Sequence, residues 1–129
     1  MPFNTTWIRN GIERKAFGKV TGGDIITFRN ALYGDERFDK LRYILTDFTE
    51  VDSIDMTEED IRKLAYLDKA AALTNPKCKI VIVIRDDTKK ILAEKYANLM
   101  NNSPWQSMVF ETVEQAREWL DMDVAAIRR

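Results

Sequence analysis

Five branched aliphatic residues in a row, Ile80-Val81-Ile82-Val83-Ile84, limit what this chain can fold into more than any other stretch. Successive side chains of a strand point to opposite faces, so an unbroken apolar run has no face suited to water. Such a strand needs cover on both sides, which is the habit of a central parallel strand with helices above and below. The run follows Asn75-Pro76 and Lys79, and it precedes Arg85-Asp86-Asp87. It is therefore bounded by a helix stop on one side and a helix start on the other.

The rest of the chain supplies the cover. Thr5–Ile8 and Ile12–Val20 read as two strands around Asn10-Gly11, a dipeptide suited to a hairpin turn. Thr21 with Asp24 resembles a capping box, and Ile25, Phe28 and Leu32 follow at helical spacing. Leu41–Phe48 is an apolar strand. Thr57 with Asp60 then opens a long helix, with Glu58 and Glu59 suited to its positive end. Ile61, Leu64, Leu67 and Ala71 form the core stripe of that helix; Tyr66, Ala70 and Leu73 form a thinner one, expected to be its buried flank. Asp86 or Asp87 caps a helix to about Asn101, with Leu92, Tyr96 and Leu99 facing in. Trp105–Phe110 is a short strand, and Thr112 with Gln115 opens a last helix bearing Val113, Ala116 and Leu120. The order predicts one α/β domain spanning residues 1–129, with a core of about 5–120: a single mixed sheet, an antiparallel hairpin at its N-terminal edge, parallel βαβ units and about four helices.

Composition narrows function by exclusion. The net charge of −1 and the lack of a basic cluster argue against nucleic acid. No run approaches the ~20 apolar residues of a spanning helix, and MPFNTTWIRN does not resemble a signal peptide, so the expectation is a cytoplasmic protein without stable membrane insertion. There is no histidine and one cysteine, Cys78, which removes the commonest general base and makes structural zinc untenable. Cys78 reads as buried and inert. No cofactor and no catalytic constellation is expected.

Ligands of open parallel sheets bind beyond the carboxyl ends of the strands. The residues expected there are Asp47, Thr49, Asp55, Thr57, Asp86 and Asp87. Hydroxyls and carboxylates at such places form a polar site or simply cap helices, and capping is the expectation here. Asp47, Asp52 and Asp55 with Asp86 or Asp87 have the oxygen ligands that magnesium wants, but no ligand spacing, so no metal site is expected.

The stretch Asp47-Phe48-Thr49-Glu50-Val51-Asp52-Ser53-Ile54-Asp55-Met56-Thr57 resembles the phosphorylation loop of the STAS domain of SpoIIAA-type anti-sigma factor antagonists. That loop reads roughly Asp-Leu-Ser-Gly-Val-x-x-Ile-Asp-Ser-Ser-Gly-Leu. Asp47, Val51, Ile54 and Asp55 match, and Thr49 and Thr57 replace hydroxyl with hydroxyl. The whole pattern is similar to the SpoIIAA-like (STAS/lipid-transfer-like) small bacterial proteins, through GKVTGGDI, Arg37-Phe38-Asp39, Tyr43–Asp47, Phe110 and Glu114–Leu120. The resemblance implies a STAS architecture and makes Thr57 the position of the phosphorylated serine. Glu58 and Glu59 stand where the family has Gly and Leu; they would repel a phosphate, so Thr57 is expected to be a cap.

The expectation is a non-catalytic binding or regulatory interaction module with a protein partner or a second copy of itself. The alternative, implied by the lipid-transfer side of the resemblance, is a carrier of a lipid or apolar small molecule. Its pocket would lie beneath the C-terminal helices and be lined by Leu92, Tyr96, Leu99, Trp105 and Met108. An enzyme using edge carboxylates ranks below both.

Overall fold

A computed structural model describes residues 2–127, with side chains described through Asp121. The elements follow the chain as β1 (Phe3–Ile8), β2 (Gly11–Thr21), α1 (Gly22–Tyr33), a 3-10 turn (Glu36–Lys40), β3 (Tyr43–Asp55), α2 (Glu58–Thr74), β4 (Lys79–Val83), α3 (Asp87–Leu99), β5 (Gln106–Phe110) and α4 (Val113–Ile127). The five strands form one sheet in sequence order. β1 and β2 are antiparallel, and the remaining pairs are parallel.

The aliphatic run does what its composition requires. β4 lies between β3 and β5. Ile80, Ile82 and Ile84 enter the larger core cluster, which includes Ile25, Ile61, Leu64 and Ala93 from α1, α2 and α3. Val81 and Val83 turn the other way and pack with Leu45, Ala116 and Leu120, beneath α4. Period two thus divides one strand between two cores.

Three local expectations need correcting. Ile8 pairs with Gly11, so the hairpin loop is Arg9-Asn10 and not Asn10-Gly11; Asn10 takes the left-handed conformation at φ 72°. β3 does not stop at Phe48 but continues to Asp55, because β2 is long enough to offer it partners from Phe17 to Thr21. β4 pairs with β3 only as far as Asp47, so beyond that point β2 and β3 run on as a two-stranded ribbon. Finally, the Tyr66, Ala70 and Leu73 stripe of α2 faces out, with Tyr66 79% and Leu73 83% exposed. The buried stripe is Ile61, Leu64, Ala65, Asp68 and Ala72, a rotation that brings a carboxylate inward.

Both expected capping boxes are present. The Thr21 hydroxyl accepts from the Asp24 amide at 3.1 Å and Asp24 accepts from the Thr21 amide at 2.9 Å. Thr57 and Asp60 repeat the exchange at 3.0 Å each way. The two helix starts adjoin: a Cβ on Gly22 would lie 2.5 Å from the Asp60 carboxylate, so only glycine fits there without a shift.

Candidate functional site

The edge residues divide into separate groups. Asp47 is buried in β3 and accepts from the Thr49 amide at 2.9 Å. Asp55 ends the same strand, roughly 25 Å further at 3.3 Å per residue, and Thr57 caps α2 two residues on. Asp86 caps α3, accepting from the amides of Thr88 at 2.8 Å and Lys89 at 3.1 Å, and these bonds hold its carboxyl below the usual range. Asp87 is the exposed first residue of that helix. Among the described residues no three acidic or cysteine side chains converge as metal ligands would.

What this edge does present is an exposed stretch rich in carboxylates, of which Glu50, Glu58 and Glu59 are paired with Lys15, Lys95 and Lys63. Asp52, Asp55, Thr57, Glu58 and Glu59 are all exposed. Glu58 accepts from Lys95 at 2.9 Å, which ties α2 to α3 and lowers the Glu58 pKa. Cys78 lies far from such chemistry: burial pushes its thiol up to about 12.

A second constellation lies under the helices and was missed from sequence. The Asp68 carboxylate of α2 accepts from Arg29 of α1 at 2.5 Å, from Tyr96 of α3 at 2.5 Å and from Tyr33 of α1. One wholly buried carboxylate thereby joins three helices. Burial works against the Arg29 charge, yet Asp68 and the two phenols outweigh it and hold the guanidinium well above its usual pKa. Burial likewise raises both phenols, with Asp68 adding to the effect. A signal did exist: Arg29 and Asp68 each fall inside an apolar stripe, one basic and one acidic, on consecutive helices.

Beside this network is a cavity of about 60 Å³ between the helices and the sheet. Leu92 and Tyr96 line it, together with Phe48, Ile54 and Met56 from the ribbon and its end. Leu99 is 36% exposed and does not. Trp105 and Met108 belong instead to a separate open cleft at the far end of α3. Trp105 is itself buried, donating to the Asn75 carbonyl at 2.6 Å and packing edge-on to Phe38. Of the five residues expected to form one pocket, two thus line the cavity, two line the cleft and Leu99 lines neither. The enclosed space also falls short of the several hundred cubic ångströms of an ordinary ligand pocket.

The sequence matches no family model and no curated protein. Solved structures do resemble it. An uncharacterised DUF3478-family protein from Shewanella loihica PV-4, with a SpoIIAA-like fold, superposes at TM-score 0.53 with 19% identity, over 92% of this chain and 91% of its own. The anti-sigma factor antagonist SpoIIAA in its unphosphorylated form gives 0.54 and 13%, over 92% and 97%. The phosphorylated Bacillus cell fate determinant SpoIIAA gives 0.57 and 15%, over 92% and 98%. At such identities the comparison speaks to architecture, and there it agrees with the strand order and helices above: the fold is SpoIIAA-like.

Proposed function

We propose that this protein is a non-catalytic regulatory interaction module that engages a protein partner through the β2–β3 ribbon and the start of α2. The observation that carries this is the strand edge: from Phe48 to Asp55, β3 hydrogen-bonds in the sheet with β2 alone. An unpaired strand edge is a ready template for another chain. Here it runs into Thr57 and its neighbouring carboxylates, which give the surface a sign and a register. The absence of histidine from the sequence, the sealed Cys78 thiol and the scattered carboxylates fit a binding role better than acid–base or nucleophilic chemistry. SpoIIAA, whose fold this is, acts as an anti-sigma factor antagonist and occurs in a phosphorylated form. A phosphate on Thr57 of this chain would displace the cap and lie beside Glu58 and Glu59. The module is therefore read as one whose surface is constant and not switched at that hydroxyl.

A photoreactive amino acid placed at Asp52 or Glu59, in the host cell, tests the surface. The expected result is one discrete protein adduct from both positions and none from the same group at Met108 on β5. Adducts from Met108 alone, or from no position, would sink the reading.

A further inference from the structure

The wall of the cavity under the helices contains a charge that the protein leaves unanswered. Arg14 of β2 lines that cavity and is only 4% exposed. Its guanidinium carbon lies over the ring of Phe28 at 3.1 Å and over that of Phe3 at 3.7 Å. Nε donates to the Thr5 hydroxyl at 3.3 Å. Among the described residues no carboxylate reaches it, and its two terminal nitrogens have no hydrogen-bond acceptor.

The neighbouring charges do not repair this. Arg29, also in the wall, takes the Asp68 carboxylate and still leaves its own Nε without a partner. Lys89 at the rim is turned to Asp86 at 3.7 Å. Burial, with Arg29 nearby, lowers the Arg14 pKa to about 9. A buried charge without a partner is among the costlier things a fold can contain. Aromatic rings return part of that cost through their faces, while the terminal nitrogens keep access to solvent-sized space and remain open to an acceptor. Those are the groups that pair two-for-two with a carboxylate.

We propose that this cavity binds a short-chain apolar monocarboxylate, its carboxylate paired with Arg14 and its hydrocarbon part between Ile82, Ile84 and Leu92. Size sets the class. A cavity of about 150 Å³ accepts benzene, so about 60 Å³ restricts the ligand to the shortest chains, and butyrate, with as many heavy atoms as benzene, has to part the walls. Sign sets the head group: Asp68 already neutralises one arginine, and a single negative charge remains to be supplied. Phe48 and Ile54 of the ribbon also line the cavity, but binding at Arg14 does not depend on the partner surface.

Binding can be read by NMR, following the Arg14 Nε–H and the methyls of Ile82, Ile84 and Leu92 during titration with butyrate, 1-butanol and butylamine. Butyrate is expected to shift all four signals and show contacts to the methyls, while the alcohol binds about ten- to hundredfold more weakly, as loss of a charge-assisted hydrogen bond implies. The amine should not bind. Arg14→Met should weaken butyrate by a similar factor, and Arg14→Lys should restore part of it. Equal binding of butyrate and butanol by the wild-type protein would overturn the proposal without any variant having to fold. So would unchanged butyrate affinity in Arg14→Met, or no response of these signals to butyrate.

Discussion

The two faces of the sheet receive similar side chains from β4 and use them differently. On the α4 face, Val81 and Val83 meet Leu45, Ala116 and Leu120 in a small aliphatic core. On the other face, Ile80, Ile82 and Ile84 lie beneath three helices that share Asp68, Arg29, Tyr33 and Tyr96. One helix can seat on a strip of aliphatics by shape alone. Three helices meeting over one sheet have more ways to slide, and directional bonds from a single carboxylate select one of them. That selection brings no guarantee of net stability, since an apolar replacement of a buried ion pair is often as stable. What it does guarantee is sensitivity to losing one partner.

Asp68→Asn should therefore be the most damaging change in the molecule, costing about 3–5 kcal/mol because Arg29 is left buried and uncompensated. Leu45→Ala, which only opens space on the plain face, should cost about 3 kcal/mol. Urea unfolding of both variants compares them directly. If Leu45→Ala proves the worse, the three-helix face depends on packing and its polar network is secondary.

Alkaline pH separates the faces in another way. Tyr33 and Tyr96 have folded pKa values above the ordinary 10, raised by burial and then by Asp68. The folded protein keeps protons that the unfolded chain gives up, so the benefit is complete below pH 10 and shrinks as pH rises above it. Arg14 opposes this. Its folded pKa of about 9 lies below the ordinary 12.5, so its penalty is complete below about 9 and lifts between there and 12.5. Two phenols against one guanidinium give a net fall in stability above pH 10. The unfolding midpoint against pH should show it, and Tyr96→Phe should flatten the fall; a midpoint that climbs steadily above pH 10 would mean Arg14 dominates.

Much of the architecture was legible because it follows from repeating patterns. Ile80–Ile84 demanded cover on both faces, and Thr21/Asp24 and Thr57/Asp60 marked helix starts correctly. Less was legible where one segment's fate depends on another. Glu50–Asp55 has the composition of an acidic loop and becomes a strand only because β2 supplies its hydrogen bonds. The α2 stripe was placed with Leu67 and Ala71 inward because Asp68 looks like a surface residue until Arg29 is known to face it. Alternation in β2 does put Arg14 on one face with Ile12 and Ala16, but the rings of Phe3 and Phe28 that make a buried arginine tenable there come together only in the fold.

The smallest expected effect tests the edge and the core together. Thr21 and Thr57 make the same capping box, and each hydroxyl satisfies one orphan amide, so Thr57→Ala and Thr21→Ala should each cost about 1 kcal/mol. Their surroundings differ in one respect. The Asp60 carboxylate that completes the Thr57 box also packs against Gly22 at the start of α1. Loss of Thr57 releases one of the contacts holding that carboxylate, and with it the junction of the two helix starts. Thr57→Ala should then be slightly the worse of the pair, Thr57→Ser should recover most of the loss, and amide exchange should quicken at Asp60 and Ile61 first. An unchanged unfolding midpoint in Thr57→Ala would show that water serves the amide as well as the hydroxyl does, and that the helix start is held by α1 and not by its cap.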